Sequence, residues 1–251
     1  MTDTAEGLGE AFDSLRAGRL LTILTGAGIS AESGLPTFRG EDGLWEGHRA
    51  EELATPEAFA RDPVKVWRFY EWRRGLVLAA TPNAGHRAVA RLQHALPRVT
   101  VVTQNVDGLH QEGGSTEVVE LHGSIRRVRC TREGTVRPAL GGAFVELPPR
   151  CPGCGAVLRP DVVWFGEPLP EAAWRRAVEA ARQSALFLVV GTSALVTPAA
   201  GLVVIAARAG AFVVEVNPDE TEATPLAHRV LRAPAAKVLP RIADLAERAT
   251  A

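Results

Sequence analysis

His122 stands between the apolar run Val118–Leu121 and Gly123. An imidazole at the end of a strand can take a proton near neutral pH, although a histidine taken alone is more often a satisfied structural residue. Thr103-Gln104-Asn105-Val106-Asp107-Gly108-Leu109-His110 closes a second apolar run, and its amides and carboxylate suit ribose hydroxyls and a carboxamide. A hydrogen-bonded turn is the plainer use of the same residues. Gly26-Ala27-Gly28-Ile29-Ser30-Ala31 follows the run Leu20–Thr25 in the G-x-G-x-x-A pattern of dinucleotide turns. There, glycine permits a sharp bend and a close approach to a pyrophosphate, and the following helix start offers it unpaired amides. The acidic residue expected about 20 residues further on is missing in clean form, which argues against an ordinary dehydrogenase. Its place is taken by the polar loop Gly34-Leu35-Pro36-Thr37-Phe38-Arg39-Gly40. Gly191-Thr192-Ser193 and Asn217-Pro218-Asp219 are two more polar turns after apolar runs. Four such turns on one sheet edge predict a nucleotide cleft.

Cys151-Pro152-Gly153-Cys154 has the spacing of half a zinc site. The other half would be a second C-x-x-C, but the chain has Cys130-Thr131-Arg132-Glu133. Structural zinc prefers cysteine and histidine, so the expectation is a structural ion on Cys130, Cys151 and Cys154, with Glu133 or water fourth. A redox pair competes with this reading, but the surrounding segment lacks a thioredoxin-like setting. Three cysteines make no disulfide framework and point to a reducing compartment.

These groups need a scaffold that brings strand ends together. Runs rich in Val, Ile, Leu and Thr lie at 20–25, 99–103, 118–121, 186–190 and 212–216. Helical periodicity fills 62–78, 84–96, 171–183 and 238–249 between or after them. Strands alternating with helices predict an α/β fold, a Rossmann-like doubly wound parallel sheet. Thr55-Pro56 and Asp62-Pro63 each place a capping residue before a proline at the first helical position, so residues 34–78 read as a loop and helices inserted after the first strand. His86, in Asn83-Ala84-Gly85-His86, reads as a helix-start residue. Residues 125–158 break the alternation and form a small inserted zinc-binding module. The expected domains are 1–124 with 159–251, and 125–158.

The chain of 251 residues carries 28 basic and 29 acidic side chains, a formal charge of -1, which disfavours nucleic acid and anionic membranes as partners. Residues 183–207 are uncharged and long enough to span a bilayer. Gly191, Thr192, Ser193, Thr197, Pro198 and Gly201 instead divide them into a buried strand, a turn and a helix opening near Pro198. The amino-terminal residues lack the basic start and apolar run of a signal peptide, so a cytoplasmic location is expected.

Taken together, the motifs at 26–30, 34–39, 103–110, 121–123 and 191–193 and the cysteine module resemble the sirtuins, NAD-dependent protein-lysine deacylases, in family order from about residue 8 to 246. The resemblance implies a Rossmann-type domain and a small zinc domain with NAD and acyl-lysine meeting between them. It implies that Gly26, Ala27, Ser30, Phe38 and Arg39 form the NAD loop. Gln104, Asn105 and Asp107 would hold the nicotinamide ribose and carboxamide, with His122 as general base. Gly191, Thr192, Ser193, Asn217, Asp219 and Ala235 would line the phosphates and adenosine. Val163-Trp164-Phe165-Gly166-Glu167 looks like the segment that pairs with a substrate peptide as an added strand. The implied products are nicotinamide, free lysine and O-acyl-ADP-ribose. A sensor of NAD or ADP-ribose and a protein ADP-ribosyltransferase are the competing functions.

One helix bears on the acyl group. Tyr70 and Arg73 are three residues apart and share a helix face, but Arg74 lies on nearly the same face, so spacing does not choose between the arginines. Tyr-x-x-Arg, with Ala54 before Thr55-Pro56, resembles the acyl pocket of desuccinylase-type sirtuins. That resemblance implies a preference for succinyl and malonyl over acetyl.

Overall fold

A computed structural model describes residues 9–37, 45–139 and 141–248. In chain order the strands are β1 (Leu20–Thr25), β2 (Val99–Thr103), β3 (Val118–Glu120), β4 (Gly123–Cys130), β5 (Val136–Pro138), β6 (Leu158–Val162), β7 (Ser184–Val190), β8 (Phe212–Val216) and β9 (Arg229–Leu231). The α-helices are α1 (Gly9–Arg16), α2 (Ala50–Leu53), α3 (Pro56–Arg61), α4 (Pro63–Ala79), α5 (Ala84–Ala95), α6 (Leu109–Glu112), α7 (Glu171–Gln183), α8 (Gly201–Arg208) and α9 (Ala235–Arg248).

Six strands form one sheet in the order β3-β2-β1-β7-β8-β9, every neighbour parallel. This is the doubly wound Rossmann-like arrangement, and its order reverses between β1 and β7, where such sheets bind ligands. Side chains alternate across the pleat. Leu21, Ile23, Val101, Leu188 and Val214 pack with α1, α5 and α9, while Leu24, Val102, Phe187 and Val213 pack with α7 and α8. The uncharged stretch 183–207 becomes β7, a turn and the start of α8. No helix among the described residues is long and apolar enough to cross a membrane.

The carboxyl ends of the strands are level. Thr25 pairs in register with Thr103 and Val190, Thr103 with Glu120, Val190 with Val216, and Val216 with Leu231. The residues that follow each strand therefore line a single rim.

Both insertions build a second lobe. β5-β4-β6 form an antiparallel sheet, and α2–α4 pack on it in one core containing Trp67, Phe69, Tyr70, Ile125, Val128, Leu158 and Trp164. Trp67 is fully buried and its indole N–H donates to Leu158 O at 2.8 Å, tying α4 to β6. α3 and α4 start where their caps dictate: Thr55 Oγ1 accepts from Ala58 N at 3.0 Å, and Asp62 Oδ1 from Lys65 N at 2.9 Å.

Three features depart from the sequence reading. The glycine turn opens a seven-residue 3-10 segment, 27–33, ended by Gly34 at φ +83°, so no α-helix follows β1 directly. α8 begins at Gly201, after a turn in which Gly201 N donates to Pro198 O. α1, α6, β9 and the strands β4–β6 have no counterpart in the sequence expectations; β9 has three residues, starting with an exposed arginine, too few to show an alternation.

Candidate active site

His122 leaves the rim just past β3, where Leu121 N donates to Thr103 O and His122 O accepts from Val163 N. Its Nδ1 lies 2.9 Å from Gln104 O, and because a carbonyl only accepts, the proton sits on Nδ1. Nε2 then carries the lone pair, and no described residue bonds to it. Burial holds the imidazole below its ordinary pKa, with the Gln104 carbonyl working the other way. Gly123 cannot be another residue: its φ is +75°, and a Cβ there would sit 2.2 Å from Asp161 O.

Behind the rim lies a buried polar cluster. Asn105 Nδ2 donates to Gly26 O at 3.1 Å and to Ser30 Oγ at 3.2 Å. Ser30 Oγ donates to Asp107 Oδ2 at 2.8 Å, and Asp107 Oδ1 accepts from Leu109 N at 2.9 Å. Burial raises the Asp107 pKa, while those two donors and the charges of Arg126 and Arg73 work against the rise. His86 Nδ1 accepts from Asn83 N, so its Nε2–H points at Ser30 Oγ, 3.3 Å away. Burial pushes His86 down to about 4 and His110 down to about 3, so both rings are neutral at pH 7. His110 meets Thr25 Oγ1 at 3.0 Å.

A cavity of about 40 Å³ opens among Ala27, Ser30, Leu35, Arg73, Asn105 and Asp107. A larger groove of about 540 Å³ lies at the opposite, amino end of the strands, around Leu20, Val99 and Gln183, away from every group described above.

The two halves of the sheet meet at Gly191 and Thr192. Gly191 has φ +56°, and a Cβ there would lie 2.5 Å from Ile29 N. Gly26 and Gly28 are equally tight against Gly191 and Thr192, so the glycines that suggested a pyrophosphate turn serve first to let the two loops touch. Thr192 Oγ1 accepts from Gln104 Nε2 at 2.9 Å and Thr192 O from Asn217 Nδ2 at 3.0 Å. Ser193 O accepts from Glu222 N, Asp219 is exposed beside Asn217, and Ala235 is buried where α9 starts. Phe38 and Arg39 lie outside the described residues.

Sequence reasoning missed two contributors to this cluster. Arg126 Nε donates to Asp107 O at 2.5 Å from β4, and no spacing in the chain signals it. His86 does start α5, in a capping box with Asn83, but the same spacing says nothing of Ser30.

On α4 the two arginines separate. Arg74 is buried, ion-paired with Glu71, and donates to Ala139 O at 2.7 Å and Gly141 O at 3.2 Å, so it holds the second lobe together. Arg73 is the arginine that lines the cavity, with its guanidinium 5.6 Å from the Phe69 ring centroid. Burial lowers its pKa, and Tyr70 and Asp107 act against that. Tyr70 is buried, its pKa pushed up to about 12 chiefly by that burial, and its Oη accepts from Trp164 Nε1 at 3.0 Å. Ala54 is buried, and its carbonyl accepts from Phe165 N at 2.9 Å. The amides of Val163, Trp164 and Phe165 are committed to His122 O, Glu167 and Ala54 O, and Gly166 turns at φ +86°.

At the far end of β4, the donor atoms of Cys130, Glu133, Cys151 and Cys154 all lie within 4.8 Å of one another. Cys130 Sγ and Cys154 Sγ are 3.5 Å apart, without a disulfide. Tetrahedral zinc with bonds of about 2.3 Å spaces its sulfurs by roughly 3.8 Å, so this donor set fits a zinc ion.

The family model described as "Sir2 family" matches residues 26–198. The chain is similar to NAD-dependent protein deacylase 2 of Pyrobaculum aerophilum, 55% identical over 236 residues that cover 94% of each protein. It is 50% identical over 224 residues to the NAD-dependent protein deacylase of Aquifex aeolicus, covering 89% of this chain and 94% of that one. A solved Sir2 homolog–NAD complex matches with TM-score 0.91 at 44% identity, over 97% of this chain and 96% of that one. A Sir2–p53 peptide–NAD+ complex matches with TM-score 0.84 at 33% identity, over 95% and 98%.

Proposed function

The chain belongs to the Sir2 family, and from that premise we propose that it removes acyl groups from protein lysines at the expense of NAD, preferring succinyl and malonyl to acetyl. The relatives named for NAD-dependent deacylation and the NAD-bound neighbour support the reaction class. The rim supports it independently, because it gathers a neutral base, ribose-binding amides and a carboxylate at the switch point of the sheet.

NAD, when bound, supplies an anomeric carbon from which nicotinamide departs and to which the acyl oxygen of the substrate bonds. The residues of this chain bind, orient and move a proton. Asn105, with its amide N–H groups committed to Gly26 O and Ser30, presents its oxygen. Asp107, held by Ser30 and Leu109, is a fixed acceptor. His122 Nε2 takes the proton of a ribose hydroxyl, and the Gln104 carbonyl keeps that lone pair in place. Gly191, Thr192, Ser193, Asn217, Asp219 and Ala235 line the phosphate and adenosine side. The residues 163–166 would seat the peptide.

Zinc would be held by Cys130, Cys151 and Cys154 with Glu133, as a structural ion. These donors lie at the end of β4 away from Gly123: the β6 residues paired with Cys130 and Gly123, Leu158 and Val162, are four residues or about 13 Å apart, beyond contact with the reacting atoms.

The observation that carries the acyl preference is Tyr70 and Arg73, a hydroxyl and a guanidinium from one face of α4, with Arg73 in the cavity that also holds Asn105 and Asp107. A guanidinium lining that cavity pairs well with a planar anion, and a carboxylate-ended acyl chain provides one. Mass spectrometry of products from succinyl, malonyl and acetyl peptides with NAD tests this. Free lysine with O-acyl-ADP-ribose is expected, fastest for succinyl and malonyl. ADP-ribosylated protein would indicate the transferase, and unchanged NAD the sensor. The double variant Tyr70→Phe, Arg73→Met should lose most desuccinylation while deacetylation persists; equal loss of both would refute the preference.

A further inference from the structure

We propose that Lys65, His48 and Glu52 form a nucleophile, base and carboxylate relay that makes Lys65 a site of self-acylation by acyl thioesters. None of the three belongs to the groups assigned above to NAD or to the acyl-lysine.

Lys65 Nζ lies 2.8 Å from His48 Nε2, and His48 Nδ1 lies 3.1 Å from Glu52 Oε2. A carboxylate only accepts, so the ring proton sits on Nδ1 and Nε2 turns its lone pair toward the lysine nitrogen. A nucleophile within hydrogen-bond reach of a base, with the base oriented by a third group, is the arrangement that activates side chains for covalent chemistry.

The relay is fastened at each member. Lys65 stands in the first turn of α4, where Asp62 takes its backbone N–H, and Glu52 belongs to α2. His48 closes a turn with Trp45, each accepting from the other's backbone N–H, at 3.0 and 2.8 Å. Trp45 is buried edge-on against Phe69, ring centroids 5.8 Å apart, one turn beyond Lys65 on the same helix face. Lys65 and His48 are half-buried and Glu52 is exposed, so a small reagent can reach the amine. Lys237, the other lysine of the chain, is exposed near the start of α9, and no described side chain bonds its ammonium.

The Lys65 ammonium first loses a proton to water. The amine lone pair then attacks the thioester carbonyl carbon, and His48 Nε2 takes the proton that the nitrogen sheds while Glu52 steadies the imidazolium. The C–S bond breaks, and the departing thiolate collects that proton. The products are an amide on Lys65 and a free thiol.

The adduct is itself an acyl-lysine, so the test is run without NAD. The protein is incubated with the acetyl thioester of N-acetylcysteamine, and peptide mass spectrometry follows acetylation at both lysines over time. Lys65 should label at least about tenfold faster than Lys237, and His48→Gln should remove that advantage while Lys237 labels as before. A hydrogen bond of purely structural use would leave the half-buried Lys65 slower than the exposed Lys237. Equal or slower labelling of Lys65, or an undiminished advantage in His48→Gln, overturns the proposal. Should His48→Gln fail to fold, Glu52→Gln, an exposed change that frees the ring, decides in its place: the advantage should fall several-fold, and an unchanged one overturns the relay.

Discussion

A base must be unprotonated before it can act, and burial arranges this at His122, the proposed base. The Gln104 carbonyl works the other way on the pKa but chooses which nitrogen is free, fixing the remaining proton on Nδ1. Replacing His122 by alanine should lower kcat about 10²-fold or more, with NAD binding by calorimetry largely retained. The pH profile checks the sign. Because the folded pKa is depressed, kcat/KM should be flat above pH 6.5 and fall only as the pH drops through a lower midpoint. An acid limb centred above 6.5 would assign the base to another group. The motifs around His122 were legible because each is a run of polar residues at a strand end. The choice between Arg73 and Arg74 was not, since both lie within one turn of Tyr70. The resemblance alone implies Arg73; in the fold the hydrogen bonds of Arg74 go to Ala139 and Gly141, remote in sequence.

Among the elements, those with a chemical start signal were readable to within a residue or two. α3 and α4 follow Thr55-Pro56 and Asp62-Pro63, and α5 follows Asn83. β9 has no such mark and owes its existence to pairing with β8. The antiparallel sheet of β4, β5 and β6 was hidden because its glycines, prolines and cysteines obscure alternation, and because its core is partly supplied by α4. The C-x-x-E pair explains how its metal would be bound. A carboxylate is a poorer partner than thiolate for closed structural zinc. Glu133→Cys should therefore hold zinc at least about tenfold more tightly, and Glu133→Ala more weakly, in competition with a chromophoric chelator. Stripping the ion should raise amide exchange in β4–β6 while the parallel sheet stays protected. Unaltered zinc affinity in Glu133→Ala would remove the glutamate from the ligand set.

For the molecule as a whole, the buried neutral rings of His86 and His110 set an acid limit. In the unfolded chain both would take a proton near pH 6.5, whereas in the fold they do so at about 4 and about 3. Their contribution is fully present above pH 6.5 and lost as the pH falls toward those values, a change on the order of a few kcal/mol. Urea midpoints should drop over that interval, and NMR should show the two imidazoles still neutral at pH 5. An imidazole of either residue that is charged at pH 5 would refute the assignment. The connectivity of the sheet bears on a different moment in the life of the protein. β1 is complete by Thr25, but its neighbour β7 begins only at Ser184, whereas the second lobe has both its insertions once β6 ends at Val162. During synthesis the second lobe can therefore close first, and its apolar face on α4 waits roughly eighty residues for β6 to cover it. Gly26 waits longer for Gly191, so a nascent chain has no rim for a nucleotide until the middle of its sheet is filled, once just over three-quarters of the chain has been made.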